Sequence, residues 1–522
     1  MSRQHRHRKR EQQARRTIAT QAGNATRAGA GGATPATSAE FVPRGGLWLA
    51  AAFLLPNLGS LACGFVFDDR ILIVENPPLH LHSFRQLSAI WTSGYWPDPR
   101  GQELYRPVAK TLWALLWAVG GGAHPAIFHA VGLALGLGAV SLLHRLLLAV
   151  ETPPRVAFIA ALLFALFPIH TEATTSVVGS AETLAAAFGL GGLLLYYCGR
   201  PLWALGLFAL AVFSKESAAA FAALPLAFPP RGWRSRSSVI AAAGAAVIIG
   251  MALVAHRAVG RGTGQIPAID NPASLVSTSQ RILTALWVQC LYVFKTFLPI
   301  RLSADYSYKQ LPLVMGLDDW RAWAGLALAG AALVTALNRR FRAPVLAYAV
   351  LFSATANVLF PIGTIMGERL VYAPSIGLAL LAAIILARWR HAKTALVAVA
   401  LLFGARTAVR NLDWLDPQHF YLKLAETSPA SAKAQYSLGT LRASQGDDAG
   451  AIEAYDRAIA IFPAYSEAFH NRGNALVRLG KRAEAMESYR QCLRFDPGHA
   501  GAAYNLMQLQ AGQPLNPPRK AL

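Results

Sequence analysis

Charge is scarce in this chain of 522 residues: only 15% are Asp, Glu, Lys or Arg, against 54% that are hydrophobic. Apolar runs of 17 or more residues recur, which is what a hydrocarbon core of about 30 Å demands, so a multi-pass membrane protein is expected and a soluble one excluded. Acidic residues are scarcer still, 27 against 49 basic ones, for a formal charge of +22. In a soluble protein that excess would suggest nucleic acid. Here Arg and Lys concentrate in short segments between apolar runs, as the positive-inside rule requires of cytoplasmic loops, and no nucleic-acid partner is expected. Cysteine is rare too. Cys63, Cys198, Cys290 and Cys492 lie far apart, three of them in apolar stretches, which points to neither a metal knuckle nor a disulfide framework.

The first 45 residues open with Arg3, Arg6, Arg8, Lys9 and Arg10 and continue in Gly, Ala and Thr. A disordered basic tail is expected over 1–45. No secretory signal peptide is expected, because the first apolar run starts only near Gly46 and no clear cleavage pattern follows. Candidate spans then run over 46–63, 125–150, 154–167, 182–198, 201–213, 217–228, 239–256, 282–298, 320–337, 344–360, 370–387 and around 395–402. With the tail inside, alternation places Asp68 and Asp69 outside, Arg145 and Arg155 inside, Glu172 outside, Arg200 inside, Lys215 and Glu216 outside, and Arg231, Arg234 and Arg236 inside. One more full crossing at 282–298 would put two basic clusters outside, Arg339, Arg340 and Arg342 with Arg388, Arg390 and Lys393. That segment is therefore expected to lie on the surface or re-enter. About 11 crossings result, over 46–413, with Glu368, Arg369 and the C-terminal part outside.

Beyond residue 414 the composition turns polar and a period emerges. Gly439 and Gly473, Gly446 and Gly480, Tyr455 and Tyr489, Pro463 and Pro497, and Asn471 and Asn505 are each 34 residues apart. This is the tetratricopeptide (TPR) spacing of paired helices. A short TPR α-solenoid is expected over 414–515, with a degenerate half-repeat leading it, a truncated one trailing it, and a tail over 516–522. Stacked helix pairs present a concave surface for a partner or an acceptor protein.

Ionisable residues sit where apolar runs end: Asp68 and Asp69, Arg106, His170 with Glu172, Glu182, Lys215 with Glu216, and Glu368 with Arg369. At a membrane boundary such groups are costly and default to function. Taken singly each has a bland explanation, Asp-Asp as a solvated turn or Lys-Glu as a pair snorkelling to the interface. Together they would ring one cavity on the outer face.

The set, in order, resembles a known family, the transmembrane and TPR-containing O-mannosyltransferases of the GT-C glycosyltransferase class. The resemblance rests on Phe67-Asp68-Asp69 with Asn76, Tyr105-Arg106-Pro107, Phe167 through Ala173, Gly179 through Glu182, Lys215-Glu216, Asn271-Pro272-Ala273, and Phe360-Pro361-Ile362-Gly363 through Glu368-Arg369 to Ser375. Ser180 stands where the family typically has Arg, and two full repeats stand where animal members carry many. The resemblance implies an all-α, GT-C-like membrane domain and transfer of a sugar, mannose in the better-known members, from a polyprenyl or dolichyl phosphate to a protein hydroxyl. In that scheme Asp69, with Asp68 as neighbour or alternate, would take the acceptor's proton in an inverting displacement. Arg106 or Arg369, with Lys215 as second choice, would bind the donor phosphate. His170, Glu172, Glu182, Glu216 and Glu368 would hold the sugar or those cations. No cofactor and no metal are expected, since no carboxylate and His grouping shows ligand spacing. The rival readings are a non-enzymatic TPR scaffold and a ligase of lipid-linked oligosaccharides. The Ala and Arg richness suggests a bacterial inner membrane with a periplasmic site.

Overall fold

A computed structural model describes residues 44–97, 104–228, 236–259 and 266–518. The expected basic tail up to residue 43, the loop residues Arg231 and Arg234, and the last four residues of the tail lie outside them. Among the described residues every regular element is helical, as the apolar composition expects: in lipid a helix satisfies its own backbone hydrogen bonds. Proline sets many of the starts. Pro107, Pro125, Pro154, Pro201 and Pro417 each occupy a first helical turn, where a missing N–H costs nothing and φ is already helical.

Four helical segments are long and apolar enough to cross a membrane: Gly45–Ala62, Pro125–Ala149, Trp320–Leu337 and Ala392–Leu412. A fifth arises if Pro154–Leu166 and Pro168–Thr175, bent by 52° at their junction, count as one. Pro107–Gly120, Pro201–Ser214, Glu216–Ala227, Ala242–Ala255 and Ser375–Leu386 are apolar but shorter. The helix Thr278–Phe297 is not among the candidate spans. Two of the long segments, Trp320–Leu337 and Ala392–Leu412, have only 11% of their apolar window buried against the protein. They present Leu333, Val334 and Leu337, and Val397, Leu401 and Leu402, outward. Such large exposed apolar faces are what lipid covers, so the chain is an integral membrane protein.

The main core lies among Pro125–Ala149, Pro154–Leu166, Ser180–Tyr197, Pro201–Ser214 and Ser375–Leu386. Towards the C-terminus, helix pairs Ala432–Ser444 with Asp448–Ile461 and Ser466–Arg478 with Arg482–Phe495 are preceded by Pro417–Thr427 and followed by Ala500–Gln510. A side chain at Gly439 would place its Cβ 2.6 Å from the Tyr455 ring, and one at Gly473 would meet Tyr489 at the same distance. One close helix approach is thus built twice, one 34-residue period apart.

Packing does not break at residue 414. Cys63 and Val66, just past the first span, share a core with Trp414, Phe420, Tyr421 and Leu438, and the Gly64 N–H donates to the Leu415 carbonyl at 2.9 Å. The segment after Thr278–Phe297 also joins the repeats: Ser303 and Ser428 hydroxyls lie 2.8 Å apart, and the Ala432 N–H donates to the Tyr308 carbonyl at 2.7 Å.

Candidate functional site

Where the first span ends, Phe67 takes φ 54°, a left-handed conformation that costs a bulky residue about 1–2 kcal/mol. The turn gives the adjacent carboxylates different surroundings. Asp69 is 1% exposed and accepts from the Ser176 hydroxyl at 3.1 Å and from the Val177 and Val178 N–H groups at 3.2 and 2.8 Å. Burial nevertheless outweighs these three donors and pushes its carboxyl up to about 7. Asp68 remains partly exposed and receives Arg369 Nη1 at 3.3 Å.

The turn that holds Asp69 depends on Gly179. A Cβ there would lie 2.3 Å from the Glu172 carbonyl oxygen, so only glycine lets the 176–179 backbone fold against the short helix Thr171–Thr175. That helix in turn presents Glu172. Its carboxylate accepts the Arg369 N–H at 2.9 Å and lies 3.5 Å from Arg369 Nε.

Arg106 immediately precedes Pro107–Gly120. Its Nε and Nη2 reach the two oxygens of Glu216 at 2.8 and 2.6 Å, a bidentate pair of the kind only guanidinium makes. Its Cζ lies 4.6 Å from the centre of the Tyr95 ring, over its face. Lys215, next in chain to Glu216, turns inward to pair with Glu182 at the start of Ser180–Tyr197, and both are buried. Lys215 lies within electrostatic reach of Arg106, Glu216, Arg369 and Glu172, and Arg369 within reach of Glu172, Asp68 and Arg106. Beside Glu182 lies a small cleft of about 10 Å³, walled by Ala185, Phe221, Leu351 and Leu370.

Seven of the ten residues expected from the sequence therefore gather: Asp68, Arg106, Glu172, Glu182, Lys215, Glu216 and Arg369. Three turn into the protein instead. Asp69 holds the 176–178 turn. His170 packs among Phe164, Phe167 and Tyr372 and meets the Ser375 hydroxyl at 2.8 Å. Glu368, 0% exposed, accepts from Tyr306 and from the Ser303 N–H at 2.7 Å and lies 3.7 Å from Arg410. The His170 ring is enclosed by aromatic side chains, and Glu368 Oε2, though without a hydrogen bond, is buried facing Arg410, so both lie apart from the gathered seven.

Sequence reasoning missed Arg410 and Asn411. The first neutralises Glu368 and also binds Asp413 at 2.7 Å. The second donates to the Pro56 carbonyl at 2.9 Å and accepts from Thr175, so the last span is tied to the first. Nothing in their local sequence marks them, because their partners are remote in the chain. Two resembling motifs are structural: the Asn271 amide donates to Asn357 at 2.9 Å and to the Ile362 carbonyl at 2.8 Å, clamping Asn271-Pro272-Ala273 to Phe360-Pro361-Ile362-Gly363.

Metal-ligand residue types meet away from this cluster, at Glu467, His470 and His499, a grouping that sequence spacing did not reveal. The His499 Nδ1 accepts the Ala502 N–H at 3.1 Å, which puts the ring proton on Nε2 and turns that proton toward Glu467, 3.4 Å away. Hydrogen bonding thus accounts for His499 and Glu467, while His470 lies against the Tyr489 and His499 rings.

Fold and cluster together define a class: a multi-pass helical membrane protein with a charge-lined site where its helices end, followed by helical repeats. Comparison with known proteins narrows it. Residues 262–333 match the family described as Protein O-mannosyl-transferase TMTC, DUF1736, and residues 439–480 and 466–499 match tetratricopeptide repeats. Protein O-mannosyl-transferase TMTC4 of Homo sapiens is 27% identical over 475 residues, covering 75% of this chain and 63% of its own. Protein O-mannosyl-transferase F38B6.6 of Caenorhabditis elegans is 26% identical, covering 81% and 63%. The resemblance to this family is borne out, and the chain spans about 63% of the length of these relatives. Among solved structures, an Archaeoglobus fulgidus oligosaccharyltransferase tethered to an acceptor peptide is 16% identical and superposes at a TM-score of 0.37, over 79% of this chain and 58% of that one. That overlap is too low to carry an argument.

Proposed function

We propose that this chain is a membrane glycosyltransferase of GT-C type. It moves a single sugar, mannose-like, from a polyprenyl or dolichyl phosphate to a protein hydroxyl on the outer face, and its repeats bind the acceptor. The observation that carries this reading is the gathering of three cations and four carboxylates from helix ends far apart in sequence, since buried charge is costly unless it does chemistry or is paired. An isoprenoid stays in lipid while its phosphosugar enters the polar cluster. In this reading the membrane domain is 46–413, with about 11 crossings, and the repeats are 414–515. The membrane is a bacterial inner membrane with the site on the periplasmic side.

Asp68, rather than Asp69, is the base. Its partner Arg369 is partly exposed, whereas Asp69 has both oxygens occupied inside the protein. The acceptor oxygen attacks the anomeric carbon as its proton passes to Asp68, and the bond from that carbon to the phosphate oxygen breaks with inversion. The phosphate leaves with an added negative charge, which Arg106 and Arg369 receive. Lys215 and Glu182 neutralise each other behind them, and Glu172 and Glu216 orient the two guanidinium groups.

The test is transfer by the purified protein from labelled polyprenyl-phosphate mannose, with the product's mass measured. Addition of one hexose per site supports the reading. A scaffold would transfer nothing, and addition of a whole oligosaccharide would point to a ligase instead.

A further inference from the structure

Tyr95 has no role in the account so far, yet it is 2% exposed and, among the described residues, its hydroxyl meets only Arg106, without the alignment of a hydrogen bond. A buried hydroxyl left so costs about 1–3 kcal/mol, and such an orphan calls for an explanation. Its neighbours indicate one. The phenol feels Arg106, Arg369 and Asp68 together, and Arg106 stacks on its ring rather than bonding squarely to its oxygen. The position is also rigidly built: the Tyr95 N–H donates to the Leu104 carbonyl at 2.8 Å, Lys110 holds the Ser93 hydroxyl and the Gly94 carbonyl at 2.7 Å each, and the ring packs on Trp96 and Trp113.

The two arginines also have donors to spare. Arg106 uses Nε and Nη2 on Glu216, and Arg369 directs Nε and Nη1 at Glu172 and Asp68. Nη1 of the first and Nη2 of the second are not used by those carboxylates. An anion with several acceptor oxygens is the chemistry that two guanidinium edges and a neutral phenol can share. Burial pushes the phenol up to about 12, so it keeps its proton at neutral pH and remains a donor.

We propose that the Tyr95 hydroxyl is a third donor to the phosphate of the lipid-linked sugar, completing a site formed with Arg106 and Arg369. This rests on the transferase reading above and adds a phosphate ligand to it. Tyr95→Phe is the test, because it keeps the ring on which Arg106 stacks and removes only the oxygen. The donor KM is expected to rise about tenfold, equivalent to about 1.4 kcal/mol, with the acceptor KM unchanged and the thermal midpoint in detergent not lowered, since the variant removes an unpaired buried hydroxyl. Binding of a polyprenyl monophosphate without sugar should weaken by the same factor. An unchanged donor KM overturns the proposal, as does a rise confined to the acceptor KM. Normal monophosphate binding with weakened donor binding also overturns it, by assigning the hydroxyl to the sugar. If wild type binds no polyprenyl phosphate at all, the transferase reading itself falls. Binding by wild type and Tyr95→Phe alike removes only the Tyr95 assignment.

Discussion

Asp68→Asn and Asp69→Asn change adjacent residues in the same way and are expected to fail differently. Asp69 accepts three hydrogen bonds at 2.8–3.2 Å while 1% exposed. An amide in its place turns one acceptor into a donor facing a donor, which leaves buried groups unpaired at a cost of about 1–3 kcal/mol. Asp69→Asn should therefore lower the thermal midpoint in detergent while the remaining folded protein keeps most of its turnover. It should also alter the pH dependence. A carboxyl raised from about 4 unfolded to about 7 folded contributes stability that is fully present below pH ~4 and lost as pH rises through ~7. That decline should flatten in Asp69→Asn. Asp68 lies at the edge of the cluster, 3.3 Å from a partly exposed Arg369, so Asp68→Asn, which keeps the side chain's size, should lower the midpoint by less than Asp69→Asn does. Turnover should fall about 10²–10⁴-fold, the usual contribution of a general base. Turnover from labelled polyprenyl-phosphate sugar, alongside the melting curve, separates the two. Full turnover in Asp68→Asn, or its loss in folded Asp69→Asn, refutes the assignment.

Arg106→Lys retains the charge but cannot form the two-bond fork with Glu216; a rise of about tenfold or more in donor KM is expected from kinetics. Arg410→Met leaves Glu368 buried without its cation, for which a loss of about 3–5 kcal/mol is expected in thermal or denaturant unfolding. Gly179→Ala would put a Cβ 2.3 Å from the Glu172 carbonyl; little folded protein should be recovered on size-exclusion chromatography. Gly473→Ala, against the Tyr489 ring, should cost about 1–3 kcal/mol by overpacking, read in unfolding of the full chain.

Helical class, the repeats and most of the charged cluster were legible in the sequence for identifiable reasons. Apolar runs report helices that lipid tolerates, a 34-residue period reports one contact made twice by Gly439 and Gly473, and ionisable residues at run ends report a boundary. What the sequence could not convey was direction. Asp68 and Asp69 are chemically identical neighbours, and the turn at Phe67 together with the remote Ser176, Val177 and Val178 donors sets which faces the cluster. His170 and Glu368 carry the same signal as Glu172 and Arg369, yet Ser375 and Arg410, distant in the chain, hold them inside. Tyr95 gave no signal because an orphaned hydroxyl is a property of its surroundings. Crossing number was equally hidden. A run broken at Pro168 folds as two helices bent by 52°, and apolar length alone does not distinguish a short span from a re-entrant one.

The proposed topology has the cluster facing one side of the membrane and the helix Ser180–Tyr197 leading away from it to the other. Cys198, exposed just past the far end of that helix, provides a native reporter, and Glu75→Cys, exposed after the Asp68 turn, provides the other. In sealed, oriented vesicles carrying one of these thiols at a time, a membrane-impermeant thiol reagent applied to the outer side should label Glu75→Cys in a Cys198→Ser background. It should reach native Cys198 only after permeabilisation. Labelling of both thiols from the same side would contradict the account.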